Sequence, residues 1–271
     1  MDSRPAGPLR YGRISFVNVA PIETAFDTGA VTREATVVTD VPARLNALLL
    51  SGDLDVAAIS SAAFLANRDR LALLGDVCIA AAGPVRSVLL VSPVPPALLG
   101  GVPIAVTTQS ASARMLLQLL LECVQGVRPT YEVVDDAPAA ARAGRPTLLI
   151  GDEALAARGT SRMGRLYDLG EAWYAWTSLP FVFAVWAVRK DVLASRPIAV
   201  AALAKALAAA RAWGGLHRHA VIDAAVAQLP FHRGLYIDYF SRLTYALNAD
   251  AQQGLERFAE LTAGEELRVA G

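Results

Sequence analysis

The chain has 271 residues, of which 54% are hydrophobic and 18% charged. That composition supports a sizeable core and excludes a disordered chain. Lys+Arg and Asp+Glu both number 25, so no basic excess points to nucleic acid, and no cationic amphipathic stretch points to a membrane surface.

The opening MDSRPAGPLR lacks the apolar core of a secretory signal, so a cytoplasmic protein is expected. LRYGRISFVNVAP then reads as a short strand ending near Asn18, an amide at a strand end. In TDVPARLNALLLSGDLDVAAISS, Thr39 or Asp40 is placed to cap a helix and Pro42 to open it. Leu45, Leu48 and Leu49 share one face of that helix, and Gly52 ends it. LDVAAIS has the short apolar run of a strand buried on both faces, and it stops at Ser60 and Ser61 before another helix.

GPVRSVLLVS is a strand entered through Gly83 and Pro84, with Arg86 and Ser87 expected on opposite faces. GGVPIAV is another strand. It leads through Thr107 and TTQSAS into a helix whose Leu116, Leu117, Leu120 and Leu121 keep helical spacing. TLLIGDEALAA repeats the plan, with a polar turn at Gly151 and Asp152, and FVFAVWAVRKD is one more strand. From Ser195 the pattern is helical: Ser195 caps, Pro197 opens, and Gly214–Gly215 closes an Ala-rich helix. GLYIDYFSRLTYALN and DAQQGLERFAELTAG follow as two amphipathic helices.

Alternating strands and helices indicate an α/β fold with mainly parallel sheets. Residues 87–106 and 172–188 carry no charge, but prolines interrupt both, which suits buried strands and crossings better than membrane spans. Placing crossings near 92–100 and 178–188 divides the chain into two lobes: residues 1–95 with 186–271, and residues 96–185. Ligands of open α/β sheets sit beyond the C-terminal ends of strands. Here those ends carry Asn18, Ser60, Ser61, Thr107 to Ser112, Gly151 and Asp152.

The helix start at Ser110, Ala111 and Ser112 offers unpaired N–H groups to an anion, although plain capping explains most such serines. Ser87 is a candidate for the cleft, and Arg86 a surface or lobe-bridging charge. Asp152 reads as a helix cap before a catalytic acid. His217, His219 and His232 make no metal pattern, and Cys78 and Cys123 read as buried thiols. Trp173, Trp176 and Trp186 read as core. No dinucleotide fingerprint, P-loop or nucleophile elbow is present. The residues alone describe a two-lobed protein that captures a small anion.

GRISFVNVAP, PARLNALLLSGDLDVAAISS, GPVRSVLLVS, LLIGDEAL, YDLGEAWYAWTSLPFVFAVWAVR and YFSRLTYALN…GLERF, taken in that order, resemble the chorismate dehydratases of the futalosine route to menaquinone. The resemblance implies a two-lobed, periplasmic-binding-protein-like (type II) fold with a ligand cleft between the lobes. It also implies conversion of chorismate, a dianion, to 3-[(1-carboxyvinyl)oxy]benzoate and water, with no cofactor or metal. The family's asparagine falls on Asn18. Its Ser-x-Thr-Ser-like loop falls on Ser110 to Ala113, where Ser112 stands for the threonine and the last hydroxyl is missing. Asn18 is thereby the expected catalytic residue. Ser60, Ser61, Arg86, Ser87, Thr107, Ser110, Ala111, Ser112, Gly151 and Asp152 are the expected substrate contacts. The sister 1,4-dihydroxy-6-naphthoate synthases open on a Ser-Pro-Cys-Pro-Asn-Asp-like motif that ISFVNVAP does not match. A non-catalytic solute receptor is the alternative of another class.

Overall fold

The computed structural model describes residues 7–158 and 164–264. The chain opens with β1 (Leu9–Ile14), a 3-10 turn at Val17–Val19 and α1 (Ala20–Asp27). β2 (Ala35–Asp40), α2 (Pro42–Ser51), β3 (Val56–Ser60), α3 (Ser61–Leu65) and β4 (Leu71–Ala81) follow. Next come β5 (Val88–Ser92), β6 (Pro103–Val106), α4 (Ala111–Leu119), β7 (Thr130–Val133), α5 (Ala137–Arg142), β8 (Thr147–Ile150) and α6 (Gly151–Ala157). The remainder is β9 (Arg165–Asp168), α7 (Leu169–Thr177), β10 (Phe181–Arg189), α8 (Lys190–Ser195), α9 (Pro197–Leu216), α10 (Arg218–Gln228), α11 (Arg233–Arg242), β11 (Leu243–Ala246) and α12 (Ala249–Gly264).

Two sheets organise these elements. One has the order β11-β4-β10-β3-β1-β2, the other β7-β6-β8-β5-β9. Both are mixed rather than mainly parallel. β1 runs parallel to β2 and β3, and β6 parallel to β7 and β8. β5 and β10, the first strands after each crossing, enter antiparallel to their neighbours. A chain that arrives from the other lobe, with no local helix to carry it back, need not preserve strand direction.

The chain changes sheet at residues 82–87 and 178–180. The division expected at 95/96 and 185/186 therefore misplaces β5, which pairs with β8 and β9, and the first half of β10, which pairs with β3 and β4. The prolines at 93–96 mark a turn inside the second lobe, not a crossing. The first crossing is shaped by left-handed Arg86 (φ 68) and the second by left-handed Ser178 (φ 57). Gly254 of α12 lies so close to the second crossing that a Cβ there would stand 1.9 Å from the Pro180 carbonyl oxygen.

Several local expectations change. Asp40 belongs to β2 and accepts the Val41 N–H at 2.8 Å, and Val41, not Thr39 or Asp40, precedes α2. Gly52 (φ 89) ends α2 as its position requires. Ser195 donates back to the Asp191 carbonyl, and Arg196 stands at the start of α9. Gly214 and Gly215 lie inside the last turn of α9. Tyr245 lies in β11, because 243–246 pairs with β4 instead of continuing α11. Cys78 is buried, but Cys123 is exposed. By length and composition α9 is apolar enough to cross a membrane. It turns Val200, Leu203, Leu207, Ala210 and Gly214 inward, and its partners are α1 and β4.

Candidate active site

The ends of β1, β3, β8 and β10 and the first crossing meet at a cleft with about 510 Å³ of empty space, open solvent included. Ile14, Phe16, Ile79, Ile150 and Phe183 give it apolar walls. Asn18, Ser60, Ser87, Ser110 and Gly151, all named from the sequence, line it. Among the described residues on its wall none carries an ionisable side chain.

Asn18 sits in the 3-10 turn after β1, because the strand stops at Ile14 rather than at the amide. Its backbone carbonyl accepts the Tyr245 hydroxyl at 2.7 Å. Its side-chain Oδ1 is buried and has no hydrogen-bond partner among the described residues. A buried amide oxygen without a donor costs about 1–3 kcal/mol, and this one belongs to a residue that lines the cleft.

The serines divide by role. Ser60 accepts from Asn46 Nδ2 at 3.2 Å and from the Ala63 N–H at 3.3 Å, capping α3. Ser87 accepts from the buried Tyr239 hydroxyl at 3.0 Å. Burial pushes the Tyr239 phenol well above its ordinary value, so it stays a donor. Ser110 caps α4 by accepting the Ala113 N–H at 3.3 Å. Ser61 and Ser112, expected on the ligand, are consumed by each other. Ser61 donates to the Val182 carbonyl at 2.6 Å. Its single hydrogen is thus spent, so Ser112 donates to Ser61 Oγ across 2.9 Å and accepts the Ala62 N–H at 2.9 Å. This chain ties α4 of one lobe to α3 of the other.

Asp152 is not a cap. Its Oδ1 accepts the Val17 N–H at 3.1 Å, again from one lobe to the other. Burial raises its pKa above the ordinary carboxylate value, and the Val17 N–H opposes that shift. Gly151 holds φ 55 and faces Phe16: a Cβ on it would stand 2.8 Å from Phe16 Cδ2.

Arg86 lies off the cleft. It precedes β5 and bonds Asp238 through Nε at 3.1 Å. Its backbone N–H is held at 2.8 Å by Asp168, whose buried carboxylate also accepts from the N–H groups of Val85, Gly170 and Glu171 and from Arg158. Asp168 thus pins the first crossing to the start of α7. Thr107 is buried, and its Oγ1 accepts the Gln109 N–H at 3.1 Å. Ala111 is exposed in the first turn of α4. Asn46, Phe16, Tyr239, Tyr245 and Asp168 were missed by sequence reasoning. Asp168 had the clearest signal: an Asp three residues before Glu171 is a capping pattern.

The model of a family described as menaquinone biosynthesis matches residues 9–264. The chain belongs to that family. A relative in it, the chorismate dehydratase of Thermus thermophilus, is 34% identical over 272 aligned residues, covering 93% of this chain and 94% of its own. Among solved structures, a protein from Archaeoglobus fulgidus superposes with a TM-score of 0.76 at 20% identity, covering 96% of this chain and 98% of its own. The periplasmic aliphatic sulphonate binding protein SsuA from Escherichia coli gives 0.66 at 15% identity, covering 96% and 93%. The fold is therefore the two-lobed α/β fold of periplasmic binding proteins. In this family member it places the orphaned Asn18 oxygen and the serine hydroxyls of both lobes around one cleft.

Proposed function

We propose that the protein is a chorismate dehydratase, converting chorismate to 3-[(1-carboxyvinyl)oxy]benzoate and water. The family and the 34% identical relative support the activity. The observation that carries the mechanism is a cleft wall with an unpartnered amide oxygen, hydroxyls and no ionisable side chain.

The C3–H of chorismate is vinylogous to the ring carboxylate. Its removal sends the electron pair toward that carboxylate. The pair then returns to form the last ring double bond as the C4–O bond breaks and hydroxide leaves. The ring becomes aromatic. A general base must lie within hydrogen-bond reach, and the described residues of the wall supply none. The enolpyruvyl carboxylate of the substrate is therefore the base. It takes the C3 proton and passes it to the departing hydroxide as water. The protein contributes orientation and a preorganised field.

Asn18 Oδ1 accepts the hydrogen of the C4 hydroxyl and turns that group into the leaving position. Ser60, Ser87 and the N-terminus of α4 at Ser110 hold the carboxylates. The biosynthetic family supports the cytoplasm as the place of action. The experiment is incubation of the purified protein with chorismate, followed by mass spectrometry for loss of one water. Chorismate returned unchanged by folded protein sinks the activity and favours a receptor or the sister synthase. Asn18→Ala and Asn18→Asp, if folded and as fast as wild type, sink the role given to Asn18.

A further inference from the structure

Ser60 is 2% exposed and lines the cleft at the end of β3. Both acceptor positions of its Oγ are occupied, one by the Asn46 amide N–H at 3.2 Å and one by the Ala63 backbone N–H at 3.3 Å. The Asn46 amide cannot be turned over, because its Oδ1 accepts the Ser60 backbone N–H at 3.2 Å and only the oxygen can do so. A hydroxyl has two acceptor sites and one hydrogen. What Ser60 has left is the hydrogen, and no acceptor for it exists among the described residues. A buried donor without an acceptor is costly, and the missing acceptor is what a ligand oxygen supplies.

We propose that Asn46 is a positioning residue that fixes Ser60 as an obligate donor to a substrate carboxylate. The identity of that carboxylate rests on the dehydratase reading; the polarity of Ser60 does not. Asn46 itself is not on the cleft wall and acts through Ser60. It occupies the turn of α2 that follows Pro42, which does line the cleft, and it reaches Ser60 from behind. Ser87 is the contrast. Tyr239 fills one acceptor site on it, but its own hydrogen faces the Val85 carbonyl at 3.5 Å, so its direction is not forced. The pairing also sets specificity. A ligand that places an oxyanion at Ser60 completes the network, whereas one that places an amide or ammonium donor there meets a second donor.

The test is a double-mutant cycle on affinity for the stable product, 3-[(1-carboxyvinyl)oxy]benzoate, by calorimetry, with melting temperature recorded for each variant. Asn46→Asp keeps the acceptor for the Ser60 N–H but offers Ser60 Oγ no donor, so the hydroxyl hydrogen turns away from the ligand. Ser60→Ala removes that hydrogen. Each single change is expected to weaken binding about 10- to 100-fold, as for a hydrogen bond to a charged group. In the Ser60→Ala background, Asn46→Asp is expected to add less than about twofold. If Asn46→Asp does not fold, Asn46→Leu enters the same cycle with the same expected coupling. Equal effects of the Asn46 change in both backgrounds, or wild-type affinity in Asn46→Asp, overturn the proposal. Wild-type protein that binds product yet leaves chorismate intact sinks the dehydratase reading, with the cycle still readable. Turnover with an additive cycle overturns only the role of Asn46. Binding of neither compound overturns both.

Discussion

The Asp152 carboxylate accepts the backbone N–H of Val17 at 3.1 Å, one residue before Asn18. A side chain of one lobe thereby fixes the turn that carries the Asn18 amide of the other. Asp152→Ala is expected to leave the Val17 N–H without its acceptor, cost about 1 kcal/mol of stability, and lower turnover by loosening Asn18. Asp152→Asn keeps an acceptor and should retain most activity. The pH dependence separates the two ideas of what Asp152 does. Its proton is held more tightly folded than unfolded, so wild-type stability falls as pH rises from the ordinary carboxylate value through the raised one. Asp152→Asn should remove that fall. Melting curves across the acid range check it, and identical slopes in both proteins count against this assignment.

Gly151 and Phe16 make a further contact between the lobes. Gly151→Ala must hold φ 55 with a side chain and place Cβ at 2.8 Å from Phe16 Cδ2. Strain of about 1–2 kcal/mol and a displaced Phe16 are expected, with chorismate turnover reduced at least tenfold. Gly151→Ala combined with Phe16→Leu relieves the clash but not the strain, so activity should recover in part. Full activity in the single variant would show that lobe spacing at this point is not critical.

The fold was legible because α/β alternation and buried apolar runs are properties of short windows: β3 and β8 lie where LDVAAIS and TLLI place them. The lobe boundary was not, since it depends on which sheet β5 joins, a pairing between residues far apart in sequence. The same limit governs the site. Ser60 and Gly151 stand at strand ends, Asn18 and Ser110 in the turns after strands and Ser87 just before one, and such junctions are visible in sequence. Ser61 and Ser112 look identical to them in sequence. They turn away only because α3 and α4 meet across the cleft, a tertiary fact. Asn46 left a faint trace, a weak helix former inside a leucine-rich helix, but its partner Ser60 is set by packing.

Ser112→Ala tests the lock between α3 and α4. It removes the acceptor of the Ala62 N–H and the donor to Ser61 Oγ, both buried. A loss of about 1–3 kcal/mol is expected, read as a lower midpoint in denaturant with an unchanged slope. Because the hydroxyl does not touch the cleft, KM for chorismate should move little once the protein is folded. A large rise in KM with unchanged stability contradicts the lock and restores Ser112 to the substrate.

Beneath β1 lies a charge that the chemistry does not use. Glu23 is fully buried, accepts the Tyr11 hydroxyl at 2.7 Å and pairs with Arg33 at 2.7 Å. Tyr11 in turn accepts the Trp186 indole N–H at 2.7 Å, and the Arg33 guanidinium lies over the Tyr11 and Phe26 rings at 4.5 and 4.3 Å. The network joins α1 to β1 and β10, the strand that leads into the Asn18 turn and the strand that brings Phe183 to the cleft wall. Removing one partner of a buried pair leaves the other charge unmatched, which costs about 3–5 kcal/mol. Glu23→Ala should therefore fall in this range, while Glu23→Gln, which can still accept from Tyr11, should cost less. Burial and the neighbouring Glu23 charge hold the Tyr11 phenol well above its ordinary value, so the Tyr11 O–H remains a donor at neutral pH. Equilibrium denaturation of both variants measures the difference. Equal and small losses would mean that the pair contributes packing rather than charge matching.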